Sequence, residues 1–392
     1  DAVNGRIMKV RRNEYFHMPP LYHRPPMDKR AAWYNTPMKL FFDARYIRTD
    51  FHDGISRYTT ELGNALAKLT KVTFIICNPG QRNFLPKGAD YIEIHEPTSP
   101  KEPFTARILN KYEPDVVVSP MQTMGAAGRK YKLILTSHDM IYYRHRTPPR
   151  NLPAPIRAGW LLYHLTYGPQ RIALNSADLV ATVSHTSKRE FEAAKLTKRP
   201  IIVVPNAPQR FHSHKVTHDS PIIKNIVYMG SFMPYKNVEA LIAAMQWLPG
   251  KTLHLLSRIS PERRRELQAL IPKNADIRFY GGVSDDEYEA LLADNALLAT
   301  ASFDEGYGLP IAEALAMGVP VAVSDIPIFH EVAAGGAVYF DPRRPQDIAS
   351  AIKRLDDTAT REEVIQRGSS HMATFTWQAS ARELLHAIET LV

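Results

Sequence analysis

The sequence predicts an α/β protein built from two Rossmann-like, doubly wound units. Three observations predict it. The chain has 392 residues, more than one hydrophobic core usually fills. From Met38 onward, short apolar runs that close on polar residues alternate with helix-spaced segments, the pattern of a parallel sheet covered by helices. That pattern stops in a polar stretch at 212–221 and then starts again.

The elements follow in order. Residues 39–43 (Lys-Leu-Phe-Phe-Asp) read as the first strand, and 55–69 as a helix with Tyr58, Leu62, Leu66 and Leu69 at helical spacing. Strands follow at 72–77, 115–119 and 133–137. Residues 157–167 read as an apolar, aromatic helix that Gly168-Pro169 ends or kinks. Strands at 181–184 and 201–205 complete the first unit. In the second, strands at 226–230, 252–256, 277–280, 296–299 and 319–323 are interleaved with helices, the first over 237–248. The expected division is an extension at 1–37, units at 38–215 and 216–375, and a last helix within 376–392 that packs back on the first unit. Two such sheets place their ligand sites beyond the carboxyl ends of their strands, in a shared cleft.

Composition narrows the class. A hydrophobic content of 44% fits a globular protein. The single cysteine, Cys77, has no partner for an internal disulfide and reads as a buried structural thiol. No apolar run approaches the ~20 residues that cross a bilayer, and no leader-like segment opens the chain. The expectation is a cytoplasmic protein, with the inner membrane face as a further possibility. Residues 1–37 are rich in Pro, Arg, His and Tyr and lack a helix or strand period. Their deletion is expected to leave a folded, active protein.

Charge is unevenly spread. Residues 38–220 carry 26 Lys and Arg against 15 Asp and Glu, whereas 221–392 carry 16 against 22. A basic half suits a phosphorylated substrate or an anionic membrane. The basic, aromatic run around 142–167 is either such a membrane contact or an ordinary packing helix with a solvated loop. Nucleic acid is disfavoured, because the positive charges are dispersed and no reader motif appears.

The strongest chemical signal is Glu305-Gly-Tyr307-Gly308-Leu309-Pro310, followed by Glu313. Gly allows close backbone approach, Pro suits a helix start, and free amides there favour an anion such as phosphate. A carboxylate accepts hydrogen bonds from adjacent hydroxyls, which is how a sugar is gripped. A second cluster, Gly230-Ser231 to Lys236-Asn237, puts a lysine near a helix start, suited to phosphate. Asp53-Gly54 opens the first helix, and Ser137-His138-Asp139 closes a strand. No metal site is readable: His212, His214 and His218 lie in the polar stretch without Cys or a zincin glutamate.

The segment from Glu305 to Glu313 resembles the Glu-x7-Glu signature of retaining GT-B glycosyltransferases, the large glycosyltransferase family 4 that includes bacterial polysaccharide mannosyltransferases. The resemblance runs over 38–392 and continues through 324–332 and 337–342. It implies a GT-B fold: the C-terminal unit holds a nucleotide sugar and the N-terminal unit holds the acceptor. It implies that Glu305 binds the donor sugar, Glu313 the ribose and His138 the sugar near its reacting carbon. Lys236 and the amides near Gly308-Leu309 hold the diphosphate, with Tyr307 beside them and the Gly54 loop against the donor. Ser231 departs from the family, which commonly has Arg there; Arg258 is a candidate replacement. Arg57 is expected to face outward or brace its helix, and Asp139 to orient its loop. Ser184 and Asn206 also match family positions. The resemblance further implies no cofactor and no metal requirement. The preferred reaction is transfer of mannose from GDP-mannose, with retention, to a glycan or lipid-linked saccharide. UDP- or ADP-sugar donors, a GT-B epimerase and a basic nucleic-acid-binding protein are the alternatives.

Overall fold

The computed structural model describes residues 38–50, 53–148, 153–211, 213–217 and 222–392. The expected 1–37 extension and half of the 212–221 stretch, including His212 and His218, lie outside the described residues. Two all-parallel sheets carry the fold. The first has the order β3-β2-β1-β4-β5-β6-β7. Its strands are β1 (Leu40–Asp43), β2 (Val72–Ile76), β3 (Asp90–Glu93), β4 (Val116–Ser119), β5 (Lys132–Thr136), β6 (Leu179–Thr182) and β7 (Ile201–Val203). The second has the order β10-β9-β8-β11-β12-β13. It contains β8 (Asn225–Tyr228), β9 (Thr252–Leu255), β10 (Asp276–Phe279), β11 (Ala296–Thr300), β12 (Val321–Ser324) and β13 (Val338–Phe340).

The central strands β1, β4, β6, β11 and β12 are buried at every position. They therefore read as continuous apolar runs, as strands covered on both faces must. The crossover between β1 and β2 is the helix Gly54–Ala67, which presses closely on the sheet at Gly63. A Cβ there would stand 3.0 Å from Phe42 and 3.1 Å from Phe74.

Two local expectations change. The aromatic helix spans Ala154–Tyr163, and Gly168-Pro169 opens a new helix, Gly168–Asn175, instead of ending the old one. Pro sits in the first turn of that helix, where its missing N–H costs nothing. The helix expected at 237–248 runs over Val238–Ala244, because Asn237 takes a left-handed conformation (φ 52°) at its start. The two halves also share packing. One buried apolar cluster runs from Leu40 and Tyr58 of the first half to Tyr307, Phe329 and Trp377 of the second, and Met38–Val392 form one compact unit. The last helix, Trp377–Glu389, lies on the helix Gly54–Ala67. Trp377 meets the Tyr58 ring edge-on at 5.9 Å, and Ser380 Oγ donates to the Pro205 carbonyl at 2.6 Å. No described helix is long and apolar enough to cross a membrane.

Candidate active site

The loops after β8 and β11 are stitched into one surface. The Phe303 amide donates to the Tyr235 carbonyl at 2.8 Å. Asn237 Nδ2 donates to the carbonyls of Ala301 (3.1 Å) and Pro342 (2.7 Å). This fixes Lys236 at the end of a short turn, where Nζ donates to Glu305 Oε1 at 2.5 Å; Ser302 Oγ donates to the same oxygen at 2.9 Å. Both charged groups are mostly shielded, so the pair is held rather than loosely solvated.

Beyond Glu305 the chain turns through Gly306-Tyr307-Gly308 into the helix Leu309–Met317, with Pro310 in its first turn. Gly308 has φ +99°, and a Cβ there would lie 3.1 Å from Phe329, so the turn requires glycine. No side chain caps that helix start, which leaves amides for an anion. The start of the helix Gly54–Ala67 is its neighbour: a Cβ on Gly54 would be 3.8 Å from Leu309 Cδ1. Two positive helix ends therefore converge from opposite halves. Asp53 caps the second of them, accepting from the Ser56 amide at 2.9 Å.

Glu313, buried in the first turns of the helix Leu309–Met317, is met by Arg57. Nη1 donates to Glu313 Oε1 at 3.2 Å and Nη2 to Asp285 Oδ1 at 3.0 Å. Arg57 thus corrects the expectation of an outward-facing or bracing residue: it crosses between the halves. Burial pushes the Glu313 carboxyl up to about 7 against the pull of Arg57.

On the opposite wall, His138 Nε2 donates to the Pro120 carbonyl at 2.9 Å, and its ring stands edge-on to Tyr58 at 5.0 Å. Burial lowers its pKa, so the ring is neutral. Asp139 accepts from the Ile141 amide at 2.9 Å, which fits its expected loop-orienting role. It also does more: a Cβ at Gly306 would lie 2.6 Å from Asp139 Oδ2. Burial, with Asp304 and Glu305 nearby, raises this carboxyl to about 6. Arg144 then bridges Asp304 (2.5 and 2.8 Å) and Glu190 (3.0 Å).

Other expected residues take different positions. The Tyr307 hydroxyl donates to the Asn206 carbonyl at 2.7 Å, so it joins the two halves. Ser184 Oγ caps the helix His185–Ala193 and lies 3.4 Å from the Gly306 carbonyl. Ser231 is exposed, and its carbonyl accepts from the Tyr228 hydroxyl at 2.6 Å. Arg258 lies across Gly282, with Cγ 2.9 Å from the position of a Cβ. His214 pairs with Asp286 at 3.2 Å. Among the described residues no cluster of His, Cys, Asp or Glu has the arrangement of a metal site. Sequence reasoning gave Asp304, Asp285 and Glu331 no role and took Arg144 only as part of the basic run at 142–167; their partners are distant in the chain.

The description of glycosyl transferases group 1 matches residues 214–371, and that of Glycosyltransferase Family 4 matches 52–207. The two matches fall on the two halves just described. The chain is similar to glycosyltransferase family 4 over these two spans. The chain is 27% identical over 237 residues to the O-antigen chain mannosyltransferase B of Escherichia coli, covering 56% of this chain and 62% of that protein. It is 30% identical over 150 residues to the O-antigen chain mannosyltransferase RfbU of Salmonella typhimurium, covering 38% and 42%. It therefore spans less than two thirds of these relatives' length. Among solved structures it resembles the sucrose-phosphate synthase of Thermosynechococcus elongatus, with a TM-score of 0.70 and 18% identity over 90% of this chain and 99% of that one. The chain thus has the GT-B fold.

Proposed function

We propose that this chain transfers mannose from GDP-mannose, with retention of configuration, to a glycan or lipid-linked saccharide. The observation that carries the reading is the Lys236–Glu305 pair, set beside two converging helix N-termini. A departing diphosphate needs fixed positive charge at the position where its own negative charge develops. Lys236 and the uncapped amides near Gly308-Leu309 supply that charge without a metal ion. Lys236 and Ser302 both donate to Glu305 Oε1, so Oε2 is the oxygen for the sugar hydroxyls. His138, neutral on the facing wall, borders the sugar's reacting carbon. The anomeric carbon–oxygen bond to the diphosphate breaks and the acceptor oxygen bonds from the same face. The acceptor proton passes to the departing phosphate oxygen. Mannose is favoured by the O-antigen mannosyltransferases that the chain resembles.

The acceptor reading rests on a surface. Between Asp139 and Asp178 the chain has five arginines and no carboxylate. The helix Ala154–Tyr163 in this stretch has no buried residue, although it carries Ile156, Trp160, Leu161 and Leu162. An anionic bilayer holding a lipid-linked acceptor matches both the charge and the apolar surface.

The test is turnover of GDP-mannose, UDP-glucose and ADP-glucose by the intact protein with a lipid-linked saccharide. GDP release with an axial-configured mannoside product is expected. Lys236→Ala and Glu305→Gln are expected to cut kcat about 10²-fold with the fold unchanged. Faster turnover of another donor, conversion of donor without acceptor, or full activity in both variants would overturn the reading.

A further inference from the structure

We propose that Arg57 is a donor-positioning residue: it fixes Glu313 for the two ribose hydroxyls of the nucleotide, so that nucleotide binding draws on a residue of the acceptor-side half. The proposal rests on the donor-site reading above.

Arg57 lies in the first turn of the helix Gly54–Ala67, whose start meets Leu309. Its fork spans two helices of the other half, Glu313 on Leu309–Met317 and Asp285 on Asp285–Ala293. The contact is enclosed, with side-chain exposures of 16% for Arg57 and 6% for Glu313. A carboxyl so buried takes a proton unless a cation stands against it. The groups that face it are Arg57, Asp285 and Tyr288, and Glu61 follows one turn after Arg57 on the same helix. Asp285 is an anion shared with Gln209 (3.2 Å) and opposes ionisation of Glu313. Arg57 is the cation of that set. Each carboxylate oxygen has two acceptor sites, so the Arg57 bond to Oε1 leaves room for both hydroxyls. The planar fork, anchored at Asp285, also fixes the direction in which the carboxylate points, which a lone lysine charge does not do.

The test is calorimetric titration of the intact protein with GDP from pH 5.5 to 8.5, with UDP and ADP measured alongside because the contact is to the ribose they share. Arg57→Ala is expected to weaken binding about tenfold at pH 7 and to move the pH midpoint of affinity up by about one unit. Arg57→Lys is expected to restore the midpoint but not the full affinity. In a Glu313→Gln background, Arg57→Ala is expected to change binding less than about twofold, since coupled residues do not add. Affinity unchanged or tighter in Arg57→Ala, or a further tenfold loss in the double variant, would overturn the proposal while leaving the donor site standing. Unchanged binding in Glu313→Gln alone, or no nucleotide bound by the wild type, would sink the donor reading and this proposal with it.

Discussion

Glu313 and Asp139 keep their protons to higher pH than free carboxyls do. Glu313 is raised from its ordinary 4.5 to about 7, chiefly by burial, and Asp139 from 3.8 to about 6 for the same reason. In the unfolded chain both ionise near their ordinary values. Between about pH 4 and 7 the folded protein therefore binds more protons than the unfolded one, and stability falls as pH rises through that window. Ligand-free protein is expected to melt at a lower temperature at pH 7.5 than at pH 5, and Glu313→Gln to flatten that slope. A scan in which the variant keeps the wild-type slope would remove Glu313 as its source. The two glutamates were legible in the sequence because glycines and a proline fixed their spacing. Arg57 was not: its partner is 256 positions away, and no local pattern reports a contact made by folding two sheets together.

At the scale of elements, strands were legible where both faces are buried. β3 was not, because its Asp-Tyr-Ile-Glu run is largely exposed at a sheet edge and shows no apolar signature. The aromatic helix was found but displaced, since Pro reads equally as a stop signal and as a first-turn residue. That helix carries its own prediction. Leu162 is 68% exposed and Ile172, on the following helix, 77%. Arg157→Glu with Leu162→Ser is expected to reduce sedimentation with vesicles containing phosphatidylglycerol at least about tenfold. Turnover of a water-soluble acceptor analogue should remain. Equal sedimentation, or a wild type that ignores such vesicles and self-associates instead, would reassign this face.

At the scale of the molecule, the two halves are joined by polar contacts. Arg57 meets Glu313, Arg144 meets Asp304, and Tyr307 meets Asn206. The most exacting contact is Glu331. Its carboxylate accepts from the His185 and Thr186 amides, each at 2.7 Å, and from Thr186 Oγ1 at 2.6 Å. An anion from one half thus caps a helix of the other. Glu331→Ala is expected to cost about 2 kcal/mol in urea unfolding, because charged hydrogen bonds are lost and amides are stranded. A shift below a few tenths would show that the contact is replaced by water. The fold of each half was legible from alternation alone, whereas this contact between them was not.

The pairing of the last helix with the first has a consequence for synthesis. Tyr58 lines the first helix, and its partner Trp377 is the first residue of the last helix, over three hundred positions later. At roughly 5–20 residues per second, a ribosome needs tens of seconds to supply that cover. During this interval the nascent first half displays the Tyr58 face of the first helix uncovered. Synthesis of the helix Trp377–Glu389, rather than completion of the first sheet, is the event that covers Tyr58.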